Sequence, residues 1–224
     1  MNRPPFAATL AAFALAATAA LPASADTLKL LTTSHGHHEI ATSMTGLEAV
    51  AQYVAEWNGT TFLTYCTDLF EPFAFNVSYT DYAPAATGSA GGFTARQADL
   101  LGKLYTVADN GGGARVDTLD ETVAFQLSVW EIINETASSL RVSGSGKGVF
   151  FVEGGATGSQ LALANGWLDA VGETRSSAFS VTRLHSDGHQ DMLSVTAVPE
   201  PSTYAMLLAG LGAMGFVSRR RASR

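Results

Sequence analysis

The chain contains one cysteine, Cys66, in 224 residues. A single thiol cannot close a disulfide within the chain, so the fold must depend on a hydrophobic core. Residues 26 to about 197 are long enough to bury such a core as one domain. Outside the cytosol, an unpaired cysteine is a buried apolar side chain, one half of an intermolecular bridge, or a thiol whose reactivity is used.

Residues 1–25 have the features of a secretory signal peptide. Arg3 precedes a long run of alanine, leucine and phenylalanine, and Ala23-Ser24-Ala25 supplies the small residues that signal peptidase requires. The apolar run is too short and too rich in alanine for a stable membrane span, although a retained anchor is the alternative. We therefore expect signal peptidase to cleave after Ala25 and release an exported protein.

The region 198–224 combines a short motif, a weak apolar segment and a basic tail. Val198-Pro199-Glu200-Pro201 is followed by the mostly apolar residues 204–217 and then by Arg219-Arg220-Arg221. A helix over 204–217 would be about 21 Å long, whereas the hydrocarbon core of a bilayer is about 30 Å thick. We expect a short transmembrane helix that anchors the chain in the inner membrane only transiently, with the arginines on the cytoplasmic side.

This order of features resembles the PEP-CTERM sorting signal of Gram-negative bacteria, which is also called an ice-binding protein C-terminal domain. The resemblance covers residues 198–224. It implies recognition by an exosortase, cleavage near Pro199-Glu200-Pro201, and release or attachment at the cell surface, commonly in bacteria that make extracellular polysaccharide. It says nothing about the task of the exported domain. An ordinary C-terminal anchor is the alternative.

The domain between the two signals is strongly acidic. All 20 acidic residues, but only eight of the 13 basic ones, lie between Asp26 and Glu200, which gives this part a net charge near −12. Because no basic patch is available to replace phosphate counterions, the composition argues against nucleic acid as a partner. No Ser/His/Asp order, phosphate loop or carboxylate pair stands out, so we expect neither a conventional turnover enzyme nor a cofactor.

Periodicity predicts an α+β fold for residues 26–197. An antiparallel β-sandwich or barrel-like sheet would carry an inserted helical subdomain of about three helices. Strands are expected at 27–33, 50–57, 60–65, 149–152, 178–181 and 192–196, with an Asn58-Gly59 turn that makes a hairpin of the second and third. Helices are expected from Thr94 to the glycines at 111–113, from 118–122 onward, and over 158–170.

Cys66 and Gln126 form a candidate reactive pair. The hairpin places Cys66 at the end of a strand, where we expect its side chain to be held rigidly and to remain partly accessible. Gln126 follows Phe125 on the second predicted helix, close to its buried stripe. On residue chemistry alone, a buried, inert Cys66 and an unrelated Gln126 explain the sequence at least as well.

Two short motifs and the helical run between them strengthen the hypothesis that Cys66 and Gln126 react with each other. Tyr65-Cys66-Thr67-Asp68, the helical run at 101–105 and the hexapeptide at 125–130 together resemble the thioester domain of bacterial surface adhesins. In that family, a cysteine after an aromatic residue and the glutamine of a Thr-Gln-x-Ala-Ile-Trp motif condense into an internal thioester, with loss of ammonia. The resemblance spans about residues 60–170 and implies a bond between Cys66 and Gln126. Trp130 matches the motif tryptophan, and Phe125 replaces the threonine.

The resemblance implies an adhesin that binds its target once and covalently. A thioester stays open to attack by amines and hydroxyls, and Tyr65, Phe125 and Trp130 would shield it from water. The target would be an amine or hydroxyl on a surface. The alternative is a noncovalent structural or polysaccharide-associated protein of the biofilm matrix, sorted in the same way, in which Cys66 is inert.

Histidines are concentrated in two places. The segment 35–38, together with Glu39, has neither strand nor helix periodicity, so we expect a solvent-exposed loop rather than a specific metal site. His185 and His189 accompany two aspartates in a second polar loop, to which the same expectation applies.

Overall fold

The structure is a computed structural model that describes residues 26–108, 116–198, 206, 209–211 and 214. The predicted signal peptide, residues 1–25, therefore lies outside the described residues, as do Pro199, Glu200 and Pro201 of the sorting motif. In chain order the elements are β1 (Leu28–Thr33), β2 (His38–Thr42), β3 (Leu47–Val50), β4 (Tyr53–Trp57), β5 (Thr60–Thr64), β6 (Ser78–Tyr79), β7 (Ala83–Ala85), α1 (Ala95–Ala108), α2 (Leu119–Asn134), β8 (Val152–Gly154), α3 (Gly158–Glu173), β9 (Phe179–His185) and β10 (Met192–Ala197).

The described strands form three antiparallel sheets, with the orders β5-β4-β1-β6, β10-β9-β7 and β3-β2-β8. The predicted α+β class with antiparallel sheets is confirmed. The strands are divided among three sheets, however, where the sequence predicted one sandwich or barrel-like sheet. The predicted strand 50–57 shows the cause: β3 ends at Val50 in one sheet, and β4 begins at Tyr53 in another. The chain crosses between them at the buried residues Ala51 and Gln52.

The predicted hairpin is confirmed as β4 and β5, with Tyr53 opposite Thr64 and Trp57 opposite Thr60. Its turn residues Asn58 and Gly59 both have positive φ, 50° and 81°. A tight turn of this kind matches the twist of the flanking strands. The hairpin ends at Thr64, two residues before Cys66, and therefore fixes the position of that cysteine.

Helices α1, α2 and α3 lie between β7 and β9 in the chain, close to the predicted ranges. A capping box starts α2: the Thr118 hydroxyl accepts from the N–H of Glu121 at 3.2 Å, and the Glu121 carboxylate accepts from the N–H of Thr118 at 3.0 Å. All side chains from residue 122 to residue 132 of α2 are buried. Helix α2 packs against α3, α1 and β3, so it carries Gln126 through the centre of the domain.

The predicted loop over residues 35–39 is wrong for its last two residues, which belong to a strand. Strand β2 begins at His38, whose Nε2 lies 2.8 Å from the carbonyl oxygen of Gly155. The strand is anchored by Ile40 and Thr42, which are buried. These residues follow the histidines, so the HGHHE run itself shows no alternation.

The described residues include no helix that has both the length and the apolar character to span a bilayer. Residues 206, 209–211 and 214 are helical. The other residues of the expected membrane helix 204–217 are outside the described set, and that helix stays a prediction.

Candidate functional site

Cys66 lies beside β10 in the interior of the domain. It forms an antiparallel bridge with Met192, flanked by hydrogen bonds from Leu193 N to Tyr65 O at 3.0 Å and from Thr67 N to Asp191 O at 2.9 Å. Backbone groups alternate in direction along an extended chain, so the N–H and C=O of Cys66 point away from β10. Buried backbone groups of this kind need partners.

Gln126 supplies both partners. The N–H of Cys66 donates to Gln126 Oε1 at 3.0 Å, and Gln126 Nε2 donates to the carbonyl oxygen of Cys66 at 2.8 Å. Only 1% of Cys66 and none of Gln126 is exposed. The expected partial accessibility of Cys66 is therefore wrong, because the chain continues past the hairpin into a pairing with β10. The carboxamide therefore takes the place of a neighbouring strand, and the two predicted site residues meet across 60 positions of sequence.

The thiol of Cys66 faces Tyr53, a residue that the sequence did not single out. The Tyr53 hydroxyl donates to the carbonyl oxygen of Ala49 at 3.3 Å, and it is close enough to the sulfur to turn its proton toward a thiolate when one forms. Burial raises the pKa of the Cys66 thiol well above its ordinary value; the Tyr53 hydrogen bond offsets part of this, and the negative charges of Glu48 and Asp68 add to it. The thiol is therefore protonated at neutral pH.

The three predicted shielding aromatics are all buried. Tyr65 and Phe125 pack together with ring centroids 4.6 Å apart, and Trp130 packs against Phe150 at 6.2 Å. Successive side chains of an extended segment point to opposite sides, so Tyr65 lies on the face opposite the Cys66 thiol. Phe125 and Trp130 lie on α2 itself, so these rings keep water from the part of the helix that carries Gln126.

A polar chain fixes the Tyr65 ring. Gln52 Nε2 donates to the Tyr65 hydroxyl at 2.9 Å, and Ser34 Oγ donates to Gln52 Oε1 at 2.6 Å. Ser34 Oγ also lies 2.9 Å from Nδ1 of His35, which is half-buried. His35, one of the histidines in the segment 35–38, is therefore connected to the Tyr65 hydroxyl through Ser34 and Gln52.

The second histidine cluster supports the loop before β10. Asp191 accepts from the N–H of Ser186 at 3.0 Å and lies 2.9 Å from Nδ1 of His185. Asp81 Oδ2 lies 2.7 Å from Ser186 Oγ and 2.9 Å from Nδ1 of His189. Serine and histidine therefore share one carboxylate, which differs from the serine-histidine-aspartate relay of a hydrolase.

In the parts of the chain that the structure describes, no group of three or more His, Cys, Asp or Glu side chains is arranged to hold a metal ion.

Residues 197–221 match the family model of the PEP-CTERM protein-sorting motif. This match confirms the predicted sorting signal and supports an exported protein that an exosortase sorts to the cell surface. Comparisons with curated proteins and with solved structures gave no match. The resemblance of the domain to adhesin thioester domains therefore stays a prediction.

Proposed function

We propose that this protein is an exosortase-sorted surface or matrix protein that attaches covalently to its target through a thioester between Cys66 and Gln126. The proposal is carried by the pair of hydrogen bonds that holds the Gln126 carboxamide against the Cys66 backbone, at 3.0 and 2.8 Å. It is an adhesin-like activity with one turnover, and it needs no cofactor.

Thioester formation requires only these two residues. The sulfur attacks Cδ of Gln126, the Cδ–Nε2 bond breaks, and the thiol proton leaves with the nitrogen as ammonia. The N–H of Cys66, 3.0 Å from Oε1, polarises the carbonyl and would stabilise the oxyanion of the tetrahedral intermediate. Burial holds the groups in contact and keeps water from hydrolysing the product.

The raised pKa of the thiol affects both directions of the reaction. A protonated thiol is a weak nucleophile, so the proton must move as the sulfur attacks, and formation is slow. A thiolate of high pKa is also a poor leaving group, which slows premature cleavage. We infer a bond that forms slowly and then persists until the target arrives.

Attachment consumes this bond. An amine or hydroxyl of the target attacks Cδ, the Cδ–Sγ bond breaks, and the sulfur regains a proton as the amide or ester forms. The ammonia lost earlier does not return, so each molecule reacts once.

A noncovalent matrix protein, associated with exopolysaccharide, is the second candidate. The same contact supports it, because the carboxamide already satisfies two buried backbone groups and the thiol is buried and protonated. In that case the Cys66 side chain only fills space in the core, and Gln126 only satisfies the backbone hydrogen bonds of Cys66.

Intact mass separates the two candidates. Protein exported from cells that express the full chain should be lighter by one ammonia than its sequence, and incubation with methylamine should add one methylamine and free the thiol. The Cys66→Ser variant should show the unmodified mass and no addition. Alkylation of folded protein cannot decide the question, since a buried thiol of raised pKa resists reagents in either case. An unmodified mass that methylamine leaves unchanged would contradict the thioester.

A further inference from the structure

We propose that the target nucleophile reaches the thioester from the side of Tyr53, through a gate that Phe73 and Phe75 form over it. We call Tyr53, Phe73 and Phe75 the aromatic gate. This inference rests on the proposed thioester, but it concerns the route of access, which the adhesive chemistry alone does not specify.

The other directions around Cys66 are occupied by regular elements. Strand β10 pairs with the Cys66 segment on one edge, and helix α2 presents Gln126 on the other. The opposite face is covered by Tyr65, packed 4.6 Å from Phe125. A nucleophile from any of these directions would have to displace a strand, a helix or fully buried rings.

On the thiol side, a series of aromatic ring contacts leads outward from Tyr53 to the surface. The edge of Phe73 meets Tyr53, with centroids 5.1 Å apart and planes at 82°, and Phe75 lies 6.0 Å from Tyr53 and 5.3 Å from Phe73. Tyr53 is 2% exposed, whereas Phe75 is 42% exposed. The aromatic gate therefore extends from the buried thiol to the surface.

The segment that carries Phe73 and Phe75 contains no helix or strand between Thr67 and β6. Its first part is held by the buried side chain of Leu69 and by a hydrogen bond from Gln190 Nε2 to Asp68 O at 2.9 Å. The part with Phe73 and Phe75 is attached by isolated hydrogen bonds: Ala74 N to the Tyr79 hydroxyl and Asn76 N to Leu30 O, both at 2.8 Å, and Gln190 N to Pro72 O at 3.3 Å. Irregular segments with few backbone hydrogen bonds open at lower free energy than sheets or buried helices. Displacement of the part of this segment that carries Phe73 and Phe75 uncovers Tyr53, the ring beside the thiol, and leaves β10 and α2 in place.

A cavity of about 230 Å³ gives the rival route. Gln52, Phe62, Tyr65 and Tyr105 help to line it. Of these residues, Tyr65 adjoins Cys66 in the chain, and its side chain points to the face opposite the thiol. A substitution at Phe62 enlarges this cavity and leaves the aromatic gate unchanged, which makes it a matched control.

The test measures the rate at which methylamine adds to the thioester, by intact mass, in protein produced from the full chain. Phe73→Ala and Phe75→Ala should each react about tenfold faster than wild type, since each substitution removes ring contacts that hold the gate closed. Phe70→Ala and Phe62→Ala should react at the wild-type rate; Phe70 is 67% exposed on the same segment, outside the gate. Thermal unfolding of each variant verifies that faster reaction does not come from global unfolding.

The outcomes distinguish the gate from the thioester itself. If wild type carries the thioester but neither gate variant reacts faster, the gate is wrong and the proposed function stands. If Phe62→Ala accelerates the reaction instead, access is through the cavity. If wild type lacks the ammonia deficit, the proposed function fails, and the gate fails with it. Because Phe75 is 42% exposed, its substitution remains informative even if Phe73→Ala does not fold.

Discussion

The carboxamide of Gln126 pairs with both backbone polar groups of Cys66, at 3.0 and 2.8 Å, inside the core of the domain. A buried backbone group left without a partner costs about 1–3 kcal/mol. Gln126 therefore stabilises the fold whether or not its side chain becomes bonded to sulfur. The structural and chemical roles of this contact need separate experiments.

The structural role is measured in a Cys66→Ser background, where no thioester can form. Adding Gln126→Ala leaves the N–H and C=O of residue 66 buried without partners, and we expect the free energy of unfolding in urea to fall by about 2–4 kcal/mol. The control is Gln97→Ala in the same background. Gln97 also bonds two backbone groups: its Oε1 accepts from the N–H of Thr94, and its Nε2 donates to the carbonyl oxygen of Ile133. Gln97 is partly exposed, however, so water can replace its side chain. Equal losses of unfolding free energy in the two variants would show that the Cys66 contact contributes no more to stability than the contacts of Gln97.

The hydroxyl of Tyr53 should affect thioester formation but not access to it. Its hydrogen bond lowers the pKa of the thiol against the larger effect of burial, so Tyr53→Phe should raise that pKa further and slow formation. The ring contacts with Phe73 and Phe75 remain, and the methylamine rate of the thioester already formed should not change. Intact mass at increasing times after induction follows formation. A faster methylamine reaction would show that the hydroxyl, not the ring, closes the site.

The turn that positions the Cys66 strand depends on glycine. Gly59 has φ of 81° and no atom within 4 Å of an added Cβ, so Gly59→Ala should destabilise the protein by about 1 kcal/mol through backbone strain alone. Gly166 has the same free space but lies inside α3, where alanine is the better helix former. Gly166→Ala should therefore raise the unfolding free energy by about 1 kcal/mol. Changes of the same sign in thermal or urea unfolding would contradict this account.

Local signals in the sequence were sufficient for the elements that carry the site. The Asn58-Gly59 turn predicted the hairpin, and Thr94 predicted the start of α1, because both signals depend on neighbouring residues only. Counting back from the turn also places Tyr53 opposite Thr64, two residues from Cys66. The signal for Tyr53 as a neighbour of the thiol was therefore present, but nothing in its residue type drew attention to it.

Long-range features could not be derived in this way. Periodicity placed Gln126 near a buried stripe, but only the family resemblance paired it with Cys66, because no local rule connects residues 60 positions apart. The division into three sheets was missed for a similar reason. The chain leaves one sheet after Val50 and enters another at Tyr53 without a glycine or proline to mark the change.

Helix α2 also contains a carboxyl group whose protonation should control stability. Glu131 is fully buried; burial raises its pKa from 4.5 to about 7, although a hydrogen bond from the N–H of Arg141 opposes the shift and the charge of Glu135 adds to it. The folded state therefore binds the proton more tightly than the unfolded state. The stability that protonated Glu131 contributes is complete below about pH 4.5 and is lost as the pH rises through about 7.

Glu131→Gln removes this titration and keeps an oxygen that can accept from Arg141. We expect the variant to unfold at higher urea concentration than wild type at pH 8 and at nearly the same concentration at pH 4.5. Glu135→Gln is the control, for which we expect the opposite dependence of stability on pH. Burial raises the pKa of Glu135, but hydrogen bonds from the backbone N–H groups of residues 136, 137 and 149 outweigh this and lower it. Its stabilisation is present at neutral pH and lost on acidification, so Glu135→Gln should destabilise most at pH 8. An equal effect of Glu131→Gln at both pH values would show that Glu131 does not hold its proton in the folded protein.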